Sequence, residues 1–245
     1  MPTITDSVTT ADGSCPVSLH TPDGDGPWPG VIMYPDAGGV RPTFREMADK
    51  LAGYGYAVLL PDVYYRDGDW APFSMETVFT DDAERKRLFG MISKVTPEIM
   101  TADATAFSDY LAARPEVSGE SFGTTGYCMG GRTSLVVAGR VPERVAAAMS
   151  FHGGGLVTDD PDSPHLLADK IGAAVYVGGA QDDGSFTTEN GETLDKALTA
   201  AGVEHTLDWY SAGHGFAVPD NGPYDESAAQ RHWDAMESFF GAHLG

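Results

Sequence analysis

Positive charge is scarce in this chain. Its 245 residues hold 15 Lys and Arg against 36 Asp and Glu, a formal charge of −21, with a pI near 4.4. No polybasic stripe is available to neutralise phosphates, which excludes a nucleic-acid partner and an anionic membrane surface. Cysteine is scarcer still. Cys15 and Cys128 are the only two, far apart and in no C-x-x-C pair, which excludes a disulfide scaffold and points to a reducing compartment. The seven histidines form no H-x-H or H-E-x-x-H spacing, so no metal cluster can be read and no cofactor is expected. The longest apolar runs, around Val31–Tyr34, Ala57–Leu60 and Val145–Phe151, fall short of the roughly 20 residues a membrane helix needs. Met1 to Asp12 shows neither a basic start nor an apolar stretch of the kind a secretory signal requires. A cytoplasmic location is the expectation.

What is present suits one folded unit spanning 1–245. Apolar residues make up 42% of the chain, enough for a sizeable core. The first thirty residues read as β structure with turns. From Gly30 the pattern becomes a cycle of continuous apolar run, Gly- or Pro-containing loop and segment of helical period, the mark of parallel strands covered by helices. Strands are expected at Val31–Tyr34, Tyr56–Leu60, Phe122–Tyr127, Val145–Phe151, Ala173–Val177 and His205–Trp209. Helices are expected near Phe44–Tyr54, after Pro97, near Gly131–Arg140 and over about Asp225–Ala242, where Trp233, Met236, Phe239 and Phe240 share one apolar face. Residues 63–96 break the cycle. A connection this long at the carboxyl end of a parallel strand suits a lid or pocket wall. It carries Arg85-Lys86-Arg87, either an attractor for an anionic substrate or a solvated helical face.

The stretch Gly126-Tyr127-Cys128-Met129-Gly130 lies between a strand and a helix and matches the nucleophile elbow G-x-S-x-G with sulfur in place of the hydroxyl. A sharp strand-to-helix turn strains the middle residue and needs small neighbours, hence the glycines. Cys128 would then stand at a helix N-terminus, where the dipole favours a thiolate. Two later strands run into Gln181-Asp182-Asp183 and Gly213-His214-Gly215-Phe216. Nucleophile, acid and base therefore follow in the order used by α/β-hydrolases.

These motifs, together with Tyr34-Pro35-Asp36-Ala37-Gly38-Gly39 and Leu60-Pro61-Asp62-Val63-Tyr64, resemble the dienelactone hydrolase family over Val31 to Phe216. The resemblance implies an α/β-hydrolase fold: a mostly parallel central sheet with helices on both faces. It implies a hydrolase of a small ester or lactone acting through a thioester. Cys128 would be the nucleophile, His214 the base and then the acid, and Asp182 the orienting carboxylate, by its match to the family's Gln-Asp pair. Asp183 is the competitor one residue on. The oxyanion hole would be the backbone N–H groups of Ala37 and Met129. Asp36 stands where the family often has a glutamate that can take the thiol proton, or it braces its own turn. His152, Phe216 and Arg85 are candidate substrate contacts, with a structural histidine the alternative for His152. Asp62 reads as a loop brace and Cys15 as an inert core residue.

The chain departs from the family pattern after His214. An arginine there helps bind the substrate carboxylate in well-known members, whereas here Phe216 is followed by Ala217-Val218-Pro219-Asp220. Two other readings remain open: a broader carboxylesterase or thioesterase on the same residues, and a non-catalytic redox-sensing or binding protein that uses Cys128 as an oxidisable thiol. A monomer or homodimer is expected.

Overall fold

A computed structural model describes residues 1–244. The alternating opening of the chain forms a hairpin, Thr3–Thr10 (β1) with Gly13–His20 (β2), closed by a tight turn whose Gly13 takes φ 138°. Six further strands complete one sheet: Trp28–Tyr34 (β3), Ala57–Pro61 (β4), Val117–Tyr127 (β5), Val145–Phe151 (β6), Ala174–Asp182 (β7) and His205–Gly213 (β8). The order is β1-β2-β4-β3-β5-β6-β7-β8. β1 and β2, then β2 and β4, pair antiparallel, and every later pair is parallel.

Both faces of the parallel part are covered, as its continuous apolar strands require. Pro42–Ala52 (α1) and Glu226–His243 (α6) cover one side, placing Phe44, Met47, Leu51, Trp233, Met236 and Phe240 against the sheet. Pro97–Ala112 (α3), Met129–Arg140 (α4) and Thr188–Ala201 (α5) cover the other with Phe107, Leu135 and Leu194. This is the α/β-hydrolase fold. α5, unanticipated from periodicity, is held by a capping box between Thr187 and Asn190 and ends at left-handed Gly202. The helix Asp82–Ile92 (α2) lies inside the 63–96 connection and starts at an Asp81 cap.

The strand order reverses at β3, which has β4 on one side and β5 on the other. In open α/β sheets, ligands collect outside the strand ends at such a switch point. Here it brings the turn after β3 beside the turn after β5, with Tyr34 in register with Gly126.

Candidate active site

The turn from β5 into α4 bends as its sequence demands. Cys128 adopts φ 54°, ψ −114°, a left-handed conformation that a side-chain-bearing residue holds only under constraint. The constraint is close packing. A Cβ on Gly126 would lie 2.0 Å from the Gly130 carbonyl oxygen, and one on Gly130 would lie 2.2 Å from that of Tyr34. The Cys128 amide is fixed to the Phe151 carbonyl at 3.1 Å, and its own carbonyl accepts from Gly131 and Arg132. The thiol, partly exposed, stands at the first turn of α4.

His214 follows β8 and faces this sulfur. Its Nδ1 lies 2.7 Å from Asp183 Oδ2. The acid that meets the ring is thus Asp183 rather than Asp182, which is exposed. β7 runs through Asp182, still paired with Gly213 after an irregularity in register, and only beyond it does the chain turn inward. A one-residue shift at a strand end reverses the direction of the side chain. Asp183 is 8% exposed. Its Oδ1 accepts from the Ser185 backbone N–H at 2.7 Å and from Ser185 Oγ at 2.6 Å, a closed Asx turn. Burial by itself would raise the Asp183 carboxyl, but the bonds from His214 and Ser185 hold it below its ordinary value. Burial by itself would lower the His214 imidazole. The Asp183 bond, joined by the Cys128 sulfur within hydrogen-bonding reach, outweighs that and raises it to about 10. Imidazolium is therefore the favoured form of the ring when the thiol has given up its proton.

On the opposite side, Asp36 closes the turn after β3. Its Oδ1 accepts from Gly38 N–H at 2.9 Å, and its backbone carbonyl accepts from Gly39 N–H. The Ala37 amide takes part in neither bond, and Ala37 borders the cavity that holds Cys128 and His214. Met129, the first residue of α4, has an amide with no partner one turn back in the helix. Tyr64 ties the two expected oxyanion residues together. Its hydroxyl donates to the Ala37 carbonyl at 2.9 Å and approaches Met129 Sδ at 3.6 Å. Asp36 itself is occupied by Arg41, which donates from Nη1 and Nη2 to its two oxygens at 2.7 and 2.9 Å.

The dienelactone hydrolase family profile matches residues 16–244. The chain belongs to the dienelactone hydrolase family. It is similar to a carboxymethylenebutenolidase of Rhodococcus opacus, 28% identical with 95% of this chain and 88% of that one covered. Among solved structures it resembles a dienelactone hydrolase-like promiscuous phosphotriesterase from metagenomic libraries (27% identity, TM-score 0.80, both chains covered in full). The dienelactone hydrolase of Anabaena variabilis, at 19% identity and TM-score 0.72 over 100% of this chain and 99% of that one, shares the fold.

In this dienelactone hydrolase family member the remaining candidates fall outside the cavity. His152 and Phe216 are fully buried and form the bed on which the His214 imidazole rests. The His152 ring meets His214 edge-on at 5.3 Å and Phe216 at 5.2 Å, and Phe216 stacks on Tyr210 at 4.5 Å. Burial, and next the nearby His214, push the His152 imidazole well below its ordinary value, so it stays neutral. Arg85 is exposed and paired with Asp82 on α2; Arg87 pairs with Glu84, caps the Ala71 carbonyl and lies over Phe73. Arg85 and Lys86 form a solvated helical face, while Arg87 is half-buried against the connection. Asp62 braces its loop as expected, accepting from Tyr64 N–H and Trp70 Nε1, and Cys15 is buried in the core. Arg41, Tyr64 and Ser185 escaped the sequence reading. Only Ser185 left a signal, the Asp-x-Ser spacing of an Asx turn.

Proposed function

We propose that the chain hydrolyses a small ester or lactone through a thioester on Cys128, with His214 as base and acid and Asp183 as the carboxylate that orients the ring. The observation that carries this reading is the strained Cys128 elbow opposite an imidazole held at 2.7 Å by a buried carboxylate. His214 takes the thiol proton, and the thiolate adds to the substrate carbonyl carbon. The carbonyl oxygen gains the negative charge, and the amides of Ala37 and Met129 stabilise it. Collapse of the adduct breaks the carbon–oxygen ester bond, and the departing alkoxide takes the proton back from the imidazolium. In the second half His214 deprotonates a water, which adds to the thioester and releases the acid as the thiolate leaves.

A protein that used Cys128 only as an oxidisable thiol would have no need of the Asp183–His214 pair, so the site favours turnover. Cys128→Ala should abolish hydrolysis of para-nitrophenyl acetate, abolish labelling by iodoacetamide at neutral pH and leave the circular dichroism spectrum unchanged. Mass spectrometry of the quenched wild-type reaction should find the acetyl group on the Cys128 peptide. Retained turnover in the alanine variant would end the reading.

A further inference from the structure

The cavity at Cys128 has a volume of about 230 Å³, small beside the roughly 300–1,000 Å³ of sites for drug-sized ligands. Around the sulfur and His214 it is bordered by Ala37, Met75, Phe79, Asp36, Asn221 and a Gly222-Pro223 corner, with no Lys or Arg among them. Met75 and Phe79 come from the 63–96 connection, and Phe79 leaves 52% of its surface exposed beside the opening.

One guanidinium lies behind this lining, and it has nothing left to offer. Arg41 has five N–H donors, and all five are engaged. Nε donates to Asp220 Oδ2 at 2.6 Å and Nη2 to Asp220 Oδ1 at 2.8 Å, while Nη1 and Nη2 hold Asp36 and Nη1 also reaches the Gly39 carbonyl at 3.2 Å. Its side chain is 5% exposed. The pair of carboxylates against one cation leaves this corner with a net negative charge. A substrate carboxylate placed here would lose its water and face Asp36, with no Lys or Arg to meet it and the His214 ring already paired with Asp183.

Resting on the thioester reading above, we propose that this site takes uncharged esters or lactones, with Met75 and Phe79 forming an apolar wall that rejects a carboxylate on the acyl part. The selection is local, built into the lining rather than into the acidic surface.

Mono-para-nitrophenyl adipate and its methyl ester test this, because they differ by one negative charge at the far end of the same acyl chain. With rates corrected for the uncatalysed reaction, kcat/KM should favour the methyl ester by about 100-fold. The preference should persist in 1 M NaCl, where the Debye length is about 3 Å and the field of the distant surface is screened. Phe79→Arg should shift the ratio toward the acid by at least about tenfold, consistent with a cation supplied to a partly buried anion. Phe79→Leu, which changes size without charge, should leave the ratio in place. Equal turnover of the two esters, a preference that disappears in salt, or the same ratio in the arginine and leucine variants would overturn the inference. If such a result comes with acetylation of Cys128 by para-nitrophenyl acetate intact, the thioester reading stands and the substrate class falls. If Cys128 is not acylated at all, both fall.

Discussion

Of two adjacent aspartates, Asp183 meets the His214 ring and Asp182 is a surface residue. Asp183→Asn should lower kcat by about 10³-fold or more, since the amide favours the wrong imidazole tautomer. Asp182→Asn, at an exposed position away from the ring, should stay within about twofold of wild type. The same variants report on stability. His214, raised to about 10, stabilises the folded chain fully below its ordinary 6.5 and loses that contribution as pH rises through about 10. Asp183, held below its ordinary 3.8, contributes above that value and loses the contribution as pH falls through its lowered one. Urea titrations should therefore show the gap between wild type and Asp183→Asn widest from about pH 4 to 6.5 and narrowing on either side. Cys128 and His214 were legible in the sequence because each sits inside a short glycine-bearing motif whose geometry is local. The choice between Asp182 and Asp183 was not. It depends on where β7 stops pairing with β8, and that is a tertiary fact. Arg41 was hidden for a similar reason, since its partners Asp36 and Asp220 are brought together only by folding.

At the scale of elements, the elbow works because α4 is pressed against the end of β3. Gly130→Ala would drive a Cβ to 2.2 Å from the Tyr34 carbonyl, a backbone atom that cannot swing aside. It should cost about 3 kcal/mol or more, by forced separation of helix and strand. Gly172→Ala, with open space where its Cβ would go, should change stability by no more than about 0.5 kcal/mol. Chemical denaturation of the two variants measures both. The parallel strands and the helices α1, α4 and α6 were readable from apolar runs and 3.6-residue periodicity. The strand ends were less so: β5 begins at Val117 and β7 continues to Asp182, because backbone pairing extends past the last apolar residue. The 63–96 connection reads from sequence only as a long interruption. Its folded form is a small cluster of Tyr64, Phe73, Val78, Leu88 and Met91 that includes Ala37 and packs on Met129. The interruption therefore packs against Ala37 and Met129, the two residues proposed to offer their amides to the oxyanion, as well as walling the cavity.

The whole molecule carries a charge of −21, and like charges on a compact body repel. Its melting temperature should rise when NaCl is added from about 10 to 150 mM, over which the Debye length shortens from about 30 to 8 Å. Scanning fluorimetry at fixed pH checks this, and a falling or flat melting temperature would indicate that attractive surface pairs such as Arg144–Asp109 dominate instead. Among the described residues no helix is long and apolar enough to cross a membrane. One local tie joins two banks of the cleft. Arg41 fastens the Asp36 turn to the Asp220 loop, so neither bank of the cleft can draw back without stranding a desolvated guanidinium.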